Sequence, residues 1–185
     1  MSKLINFREL SLKDAELTLN WRIKHRITKF QFTDIKRSIP NQKKWINNSF
    51  KRKDYYHWII NYKKIPIGLI SINDLNLKNK STTWGYYIGS EKYLTLGAVI
   101  PAYFYNWVFK NFRINKIYAF VISNNLNVIK LHKFHNYKIL KQKIFIKKNK
   151  KRLLVKKLLL SKYKWDFKSY QKCIANFPIN KWKHK

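Results

Sequence analysis

The stretch STTWGYYIGSEKYLTLGA, Ser81–Ala98, decides the fold. Its first half, Ser81–Gly89, is rich in Thr, Trp and Tyr, the composition of a strand. Past Gly97 the period changes, with Ala98, Ala102, Tyr105, Val108 and Phe109 recurring at helical spacing towards Phe112. Pro101 fits such a helix only in its first turn, where no N–H is needed. A strand that bends into a helix N-terminus gathers unpaired backbone N–H groups and the positive end of the helix dipole. That is the geometry of an anion site, and a pyrophosphate would fit it. The chain has four glycines, and three fall within Gly85–Gly97, so backbone can approach a ligand closely in few other places. A plain strand-to-helix loop, with Gly where its turn demands it, would leave the same pattern.

Working outward, Lys3–Leu10 reads as a first strand, and Ser11-Leu-Lys-Asp14 as a capping-box-like start to a helix ending near Arg22. Pro40 suits the first turn of a second helix carrying Trp45, Ile46 and Phe50. Tyr55–Tyr62 and Ile65–Leu77 are aromatic and β-branched runs joined at Lys63-Lys64, a hairpin. Lys116–Ser123 reads as a buried strand and Leu126–His135 as a short helix. Tyr137–Lys147 and Arg152–Ser161 form a second hairpin about Asn149-Lys150. The order β-α-α-β-β-β-α-β-α-β-β predicts one α+β domain over residues 1–165, followed by a basic, aromatic tail over 166–185 that either packs as a last element or stays mobile.

The 185 residues are 45% hydrophobic and 17% aromatic, enough for a real core and too apolar for a disordered basic chain. Net charge is +33. Clustered cations suit nucleic acid, but here 34 lysines against 7 arginines are spread along the chain, and Lys, Asn, Ile, Phe and Tyr make up more than half of it. A/T-rich codon usage accounts for that composition without selection for nucleic acid, and any anionic ligand remains compatible with it. The lone Cys173 excludes an intrachain disulfide and a cysteine metal cluster, and suits a reducing, cytoplasmic setting. No run reaches the ~20 apolar residues of a membrane helix. Absent too are paired carboxylates, a His cluster or a Walker-type loop, so glycosidase, metallohydrolase and NTPase readings are weak.

Two segments carry a family resemblance. Lys92-Tyr-Leu-Thr95-Leu-Gly97 is similar to the first acetyl-CoA signature of the GNAT N-acetyltransferases, with Thr95 in place of a Gly. Asn125, Val128, Leu131, His132, Asn136 and Tyr137 occupy the positions of the second, with Asn136 for Gly, a mild change because Asn tolerates the left-handed conformation. The resemblance covers about residues 3–163. Trp84-Gly-Tyr-Tyr-Ile-Gly89, Pro66-Ile67-Gly68, Ser71-Ile-Asn-Asp74 and Val128-Ile-Lys-Leu-His132 resemble most the branch that acetylates the 4-amino group of a UDP-linked 4-amino-4,6-dideoxy sugar in pseudaminic acid synthesis, the sugar of glycosylated flagellins. A neighbouring branch, acetylating the N-terminal alanine of a ribosomal protein, shares the Trp21-Arg22 start. A non-catalytic basic RNA-binding module is the remaining alternative.

The resemblance implies a GNAT-type fold: a central mixed, mostly antiparallel sheet with one splayed parallel pair, flanked by about four helices. Acetyl-CoA would lie in the split, between the strands ending near Ile88 and Ile122. Tyr87, Ile88 and Gly89 would pair with its pantetheine arm, and Lys92, Tyr93, Leu94, Thr95, Leu96, Gly97 and Ala98 would cradle its pyrophosphate, with Asn125 nearby. A Cβ at Thr95 crowds that approach. Transfer needs a neutral amine, a polarised thioester carbonyl and a proton for the departing thiolate, but no covalent enzyme intermediate. His132 stands where the family's acid is usually Tyr, and could donate if protonated or in the right tautomer. Asp74 and Glu91 are the candidate bases nearest the cleft in sequence, and no metal is implied. Trp21, Phe30, Phe32 and Trp45 would offer aromatic faces to a deoxy sugar, and Arg22 would meet nucleotide phosphates. The expected partners are anionic small molecules, with the protein a monomer or homodimer.

Overall fold

The computed structural model describes residues 4–180. Lys3 of the first expected strand and the tail end, 181–185, lie outside them. The strands are β1 (Ile5–Glu9), β2 (Tyr56–Tyr62), β3 (Ile65–Asn76), β4 (Ser81–Ile88), β5 (Lys116–Ile122), β6 (Lys138–Ile139), β7 (Ile144–Lys148) and β8 (Lys151–Ser161). They form one sheet in the order β1-β2-β3-β4-β5-β8-β6, with β7 also on β8. All pairings are antiparallel except β4 with β5.

Local chemistry accounts for the turns. Lys63 and Lys64 (φ 47° and 68°), and Asn149 and Lys150 (φ 49° and 63°), close two-residue hairpins whose positive φ matches the strand twist. The helices are α1 (Ala15–Arg22), α2 (His25–Thr28), α3 (Ile39–Phe50), α4 (Ile100–Asn111) and α5 (Leu126–Phe134). Ser11 and Asp14 form the capping box before α1, where Arg8 also grips the Asp14 carboxylate at 2.6 and 2.8 Å. Ser38 caps α3, and Pro40 and Pro101 sit in the first turns of α3 and α4. Asn136 ends α5 at φ 63°, the left-handed position for which the resemblance leads one to expect Gly.

Two details depart from the sequence reading, and a third takes one of the two courses it left open for the tail. A fifth helix, α2, is a single turn that shows no hydrophobic period. The expected strand over 137–147 is two strands, β6 and β7, since Leu140 makes one bond to Lys157 and the polar Lys141–Lys143 then leaves the sheet. The segment after 165 packs onto the domain: Phe177 is buried against Phe7 (4.0 Å between centroids, stacked), Trp58 and Trp107. Trp165 donates to Asn106 Oδ1, and Trp58 donates to the Pro178 carbonyl. A Phe buried this way contributes about 2–3 kcal/mol, so residues up to 180 close the main core.

Candidate active site

The parallel pair is short. β4 and β5 pair only at Ser81–Thr83 with Lys116–Tyr118. Beyond Thr83 the two strands part, and Trp84–Ile88 and Ala119–Ile122 have no ladder between them. β4 still pairs with β3, and β5 with β8, along these stretches. A cavity of about 1040 Å³ opens at the split and runs past it to α1, α3 and the irregular segment 29–38.

The glycines locate the contact surface. None has positive φ, so no turn demands them. A Cβ at Gly89 would lie 2.1 Å from the Trp21 indole, and one at Gly68 would lie 2.3 Å from the Tyr87 carbonyl oxygen. These two are packing requirements. At Gly85 the nearest atom is 3.8 Å away and at Gly97 it is 3.5 Å, ordinary contacts. Both line the cavity, so a side chain at either would take up cavity space and not press on protein. That fits a cofactor lying along the split.

Of the residues expected to hold the cofactor, Tyr87, Ile88, Leu94, Gly97, Ala98 and Asn125 line the cavity. Residues Glu91–Ala98 form a 3-10 stretch kinked at Tyr93 rather than an open loop. Tyr86 donates its hydroxyl to the Gly97 carbonyl at 2.9 Å, which ties this stretch to β4. Lys92 and Thr95 are exposed on it, Tyr93 packs on Tyr62, and Leu96 joins the core. Arg26 donates to the carbonyls of Ile88 (2.9 Å) and Gly89 (2.6 Å), capping the end of the split strand.

His132 lines the cavity, edge-on to Trp84 and 4.6 Å from the Tyr137 ring. Burial, and secondarily His135, push its pKa down to about 3. It is therefore neutral, so it can donate a hydrogen bond through an N–H but has no acidic proton to transfer. Tyr137, which receives the Trp84 indole N–H at 3.0 Å, is held protonated by burial. Asp74 and Glu91 do not line the cavity. Asp74 turns outward at φ 50° to Arg52 and Thr83, and Glu91 is exposed between Lys24 and Arg26, which hold its carboxyl below the ordinary range. Their nearness to the cleft in sequence does not become nearness in space.

In the acceptor half, Arg22, Phe30, Phe32 and Trp45 line the wall, while Trp21 lies beneath Gly89. The Arg22 guanidinium is engaged by Thr28 and by Thr33, so it braces segment 29–38. Lys148 secures the same segment through the Thr28 carbonyl (2.6 Å) and Asp34 (3.1 Å). Sequence reading missed Arg26, Lys36, Tyr55, His57, Ser71 and Asn73, all on the cavity wall. His57 was the one with a signal: a lone imidazole in the otherwise apolar run Tyr55–Ile60. None of the eight carboxylates of the chain lines the cavity, whereas Arg22, Arg26 and Lys36 do. Among the described residues no three His, Cys, Asp or Glu gather as a metal site, and no helix is long and apolar enough to cross a membrane.

Comparison with known proteins agrees with this geometry. The family model for the acetyltransferase (GNAT) domain matches residues 5–134. The chain is 27% identical over 142 residues to the acetyltransferase PseH of Campylobacter jejuni, covering 75% of this chain and 86% of that protein. The crystal structure of C. jejuni PseH superposes with a TM-score of 0.62 at 16% identity, over 86% of this chain and 99% of the other. The spermidine N-acetyltransferase of Vibrio cholerae, solved with CoA and spermine, superposes at 0.79 and 16% identity, over 87% and 97%. At such identities the two superpositions show the fold alone.

Proposed function

Since the chain belongs to the GNAT acetyltransferases and so uses acetyl-CoA, we propose that its acceptor is the 4-amino group of a nucleotide-linked deoxy amino sugar. The observation that carries this reading is the charge of the cavity: Arg22, Arg26 and Lys36, and no carboxylate. A polyamine would enter such a cavity against like charge and find no anionic partner. A sugar diphosphate brings compensating charge, and Phe30, Phe32, Trp45 and Tyr55 offer faces to an apolar ring edge and methyl group. The sequence match to PseH points to the same branch.

In this reading the thioester supplies the activated acetyl group when acetyl-CoA is bound. Gly85, Gly97 and the split edge of β4 make room for it, Tyr86 fixes the 3-10 stretch beneath its phosphates, and Arg26 holds the strand end. The cationic wall lowers the pKa of an incoming amine, which favours the neutral nucleophile without a carboxylate base at hand. His132 would offer its neutral N–H as a hydrogen bond to the leaving thiolate, while the proton the thiolate takes up would be the one the amine must lose on acylation.

Thiol release should be measured with a UDP-4-amino-4,6-dideoxy sugar, with spermidine and with an alanine-initiated peptide. The expected kcat/KM for the amino sugar exceeds that for spermidine on the order of 100-fold. Equal or faster turnover of spermidine or the peptide overturns the acceptor assignment.

A further inference from the structure

The outer wall of the acceptor half is the irregular segment 29–38, which gives Phe30, Gln31, Phe32, Thr33, Ile35 and Lys36 to the cavity. It has no ladder or helix of its own, since α2 ends at Thr28 and α3 begins at Ile39. Its place therefore depends on side chains that reach it from elsewhere.

Two cations reach it, one from a helix and one from the sheet. Arg22 of α1 donates to Thr28 Oγ1 (3.2 Å) and to the Thr33 carbonyl (2.5 Å). Lys148, the last residue of β7, donates to the Thr28 carbonyl (2.6 Å) and pairs with Asp34 (3.1 Å). The Thr28 hydroxyl donates to the same carboxylate at 3.3 Å. The Lys148 side chain is 9% exposed, and a buried ammonium group is kept by its partners. The strand brings it there. Along β7 the half-buried Ile144, Ile146 and Lys148 alternate with the exposed Phe145 and Lys147, so the three share the face turned to the segment. Pairing of β5 with β8 stops at Val155, and from there the β7–β8 ribbon runs on alone to Lys151, roughly 13 Å. Neither Lys148 nor Asp34 lines the cavity.

We propose that Lys148 and Asp34 are positioning residues for the acceptor. Their ion pair, joined to the Thr28 carbonyl, latches segment 29–38 to the β7–β8 ribbon and so sets the wall against which the acceptor binds. This rests on the proposed function only for the placing of the acceptor in this half of the cavity. β8 pairs with β5 from Lys116 to Ile122, and β5 edges the split. The latch thus fastens the acceptor wall to the strands that border the cofactor, and keeps Phe30, Phe32 and Lys36 in a fixed relation to the thioester. Without it the wall takes other arrangements, and the apparent affinity for the acceptor falls with the fraction of molecules whose wall is in place. Neither residue touches the reacting atoms, so the chemical step is left as it was.

The test compares wild type with Lys148→Met, Asp34→Asn, the double variant and Lys148→Arg. Each is assayed with acetyl-CoA and a UDP-4-amino-4,6-dideoxy sugar, and amide hydrogen exchange is followed over residues 29–38. Lys148→Met keeps the apolar stem and removes the charge. It should raise the acceptor KM about 10-fold, keep kcat within about threefold and leave the KM for acetyl-CoA unchanged. Protection over 29–38 should fall while that over 84–98 holds. Asp34→Asn should act likewise, and the double variant should be no worse than the more damaging single one. Lys148→Arg, which can still donate to both partners, should recover most of the loss. An acceptor KM that stays put, one that rises in step with that for acetyl-CoA, or additive losses in the double variant overturns the latch and leaves the amino-sugar reading intact. A wild type that turns over no amino sugar overturns that reading. Exchange then decides the latch by itself, which fails if 29–38 exchanges alike in wild type and Lys148→Met.

Discussion

Between pH 7 and pH 5 the free energy of unfolding should fall by about 6 kcal/mol. His57 and His132 are buried as neutral rings, each with its pKa pushed down to about 3, His57 by burial and then Arg52, His132 by burial and then His135. In the unfolded chain they titrate near 6.5. As pH falls below 6.5 the unfolded state takes up protons that the folded state refuses, so stability present above that pH is lost, by about 2 kcal/mol for each ring at pH 5. His135, pushed down to about 4 by burial among Tyr105, Trp165 and Tyr170, adds a third loss of about 2 kcal/mol over the same interval. The paired carboxylates do not offset this. Asp14, Asp34, Asp54 and Glu91 are all held below their ordinary values by cationic neighbours, and their losses come only at lower pH. Total stabilities of about 5–15 kcal/mol are usual, so a drop of this size is readily measured by urea unfolding at the two pH values. His135→Phe, which removes two buried nitrogens without partners, should flatten the acid slope in part. A stability unchanged from pH 7 to pH 5 would contradict the burial of neutral rings.

Two glycine substitutions should fail in opposite ways. Gly89→Ala puts a methyl 2.1 Å from the buried Trp21 indole, and neither the strand end nor the ring has room to yield. It should cost about 3 kcal/mol or more, seen as a lowered unfolding midpoint. Gly85→Val meets no protein atom within 3.8 Å of its Cβ and adopts ordinary strand angles. Its stability should stay within about 1 kcal/mol of wild type, while acetyl-CoA-dependent thiol release falls on the order of 100-fold because the new side chain stands in the cavity. A Gly85→Val protein with full activity would remove the cofactor from this stretch of β4.

Much of the fold was legible because it follows from local rules: aromatic and β-branched runs in β2 and β3, two-residue turns at Lys63-Lys64 and Asn149-Lys150, prolines in first turns, and the family signatures around Gly97 and Asn125. The single turn of α2 is too short to carry a period. The insertion of Phe177 between Phe7 and Trp58 joins the two ends of the chain, and no local pattern announces it. The site was less legible. Which residues face the cavity depends on strand register, so the alignment of His57, Ser71 and Gly85 along its wall is invisible until β2, β3 and β4 are paired. Asp74 illustrates the converse: it directly follows Asn73, which lines the cavity, but a positive φ turns it out to Arg52.

Hydrogen exchange with and without saturating acetyl-CoA tests most directly whether the cofactor fills the gap between the parted strands. The account predicts new protection in peptides covering residues 84–98 and 119–131, with the β1–β2 pairing unchanged. Exchange over 84–98 that is the same in both samples would contradict it.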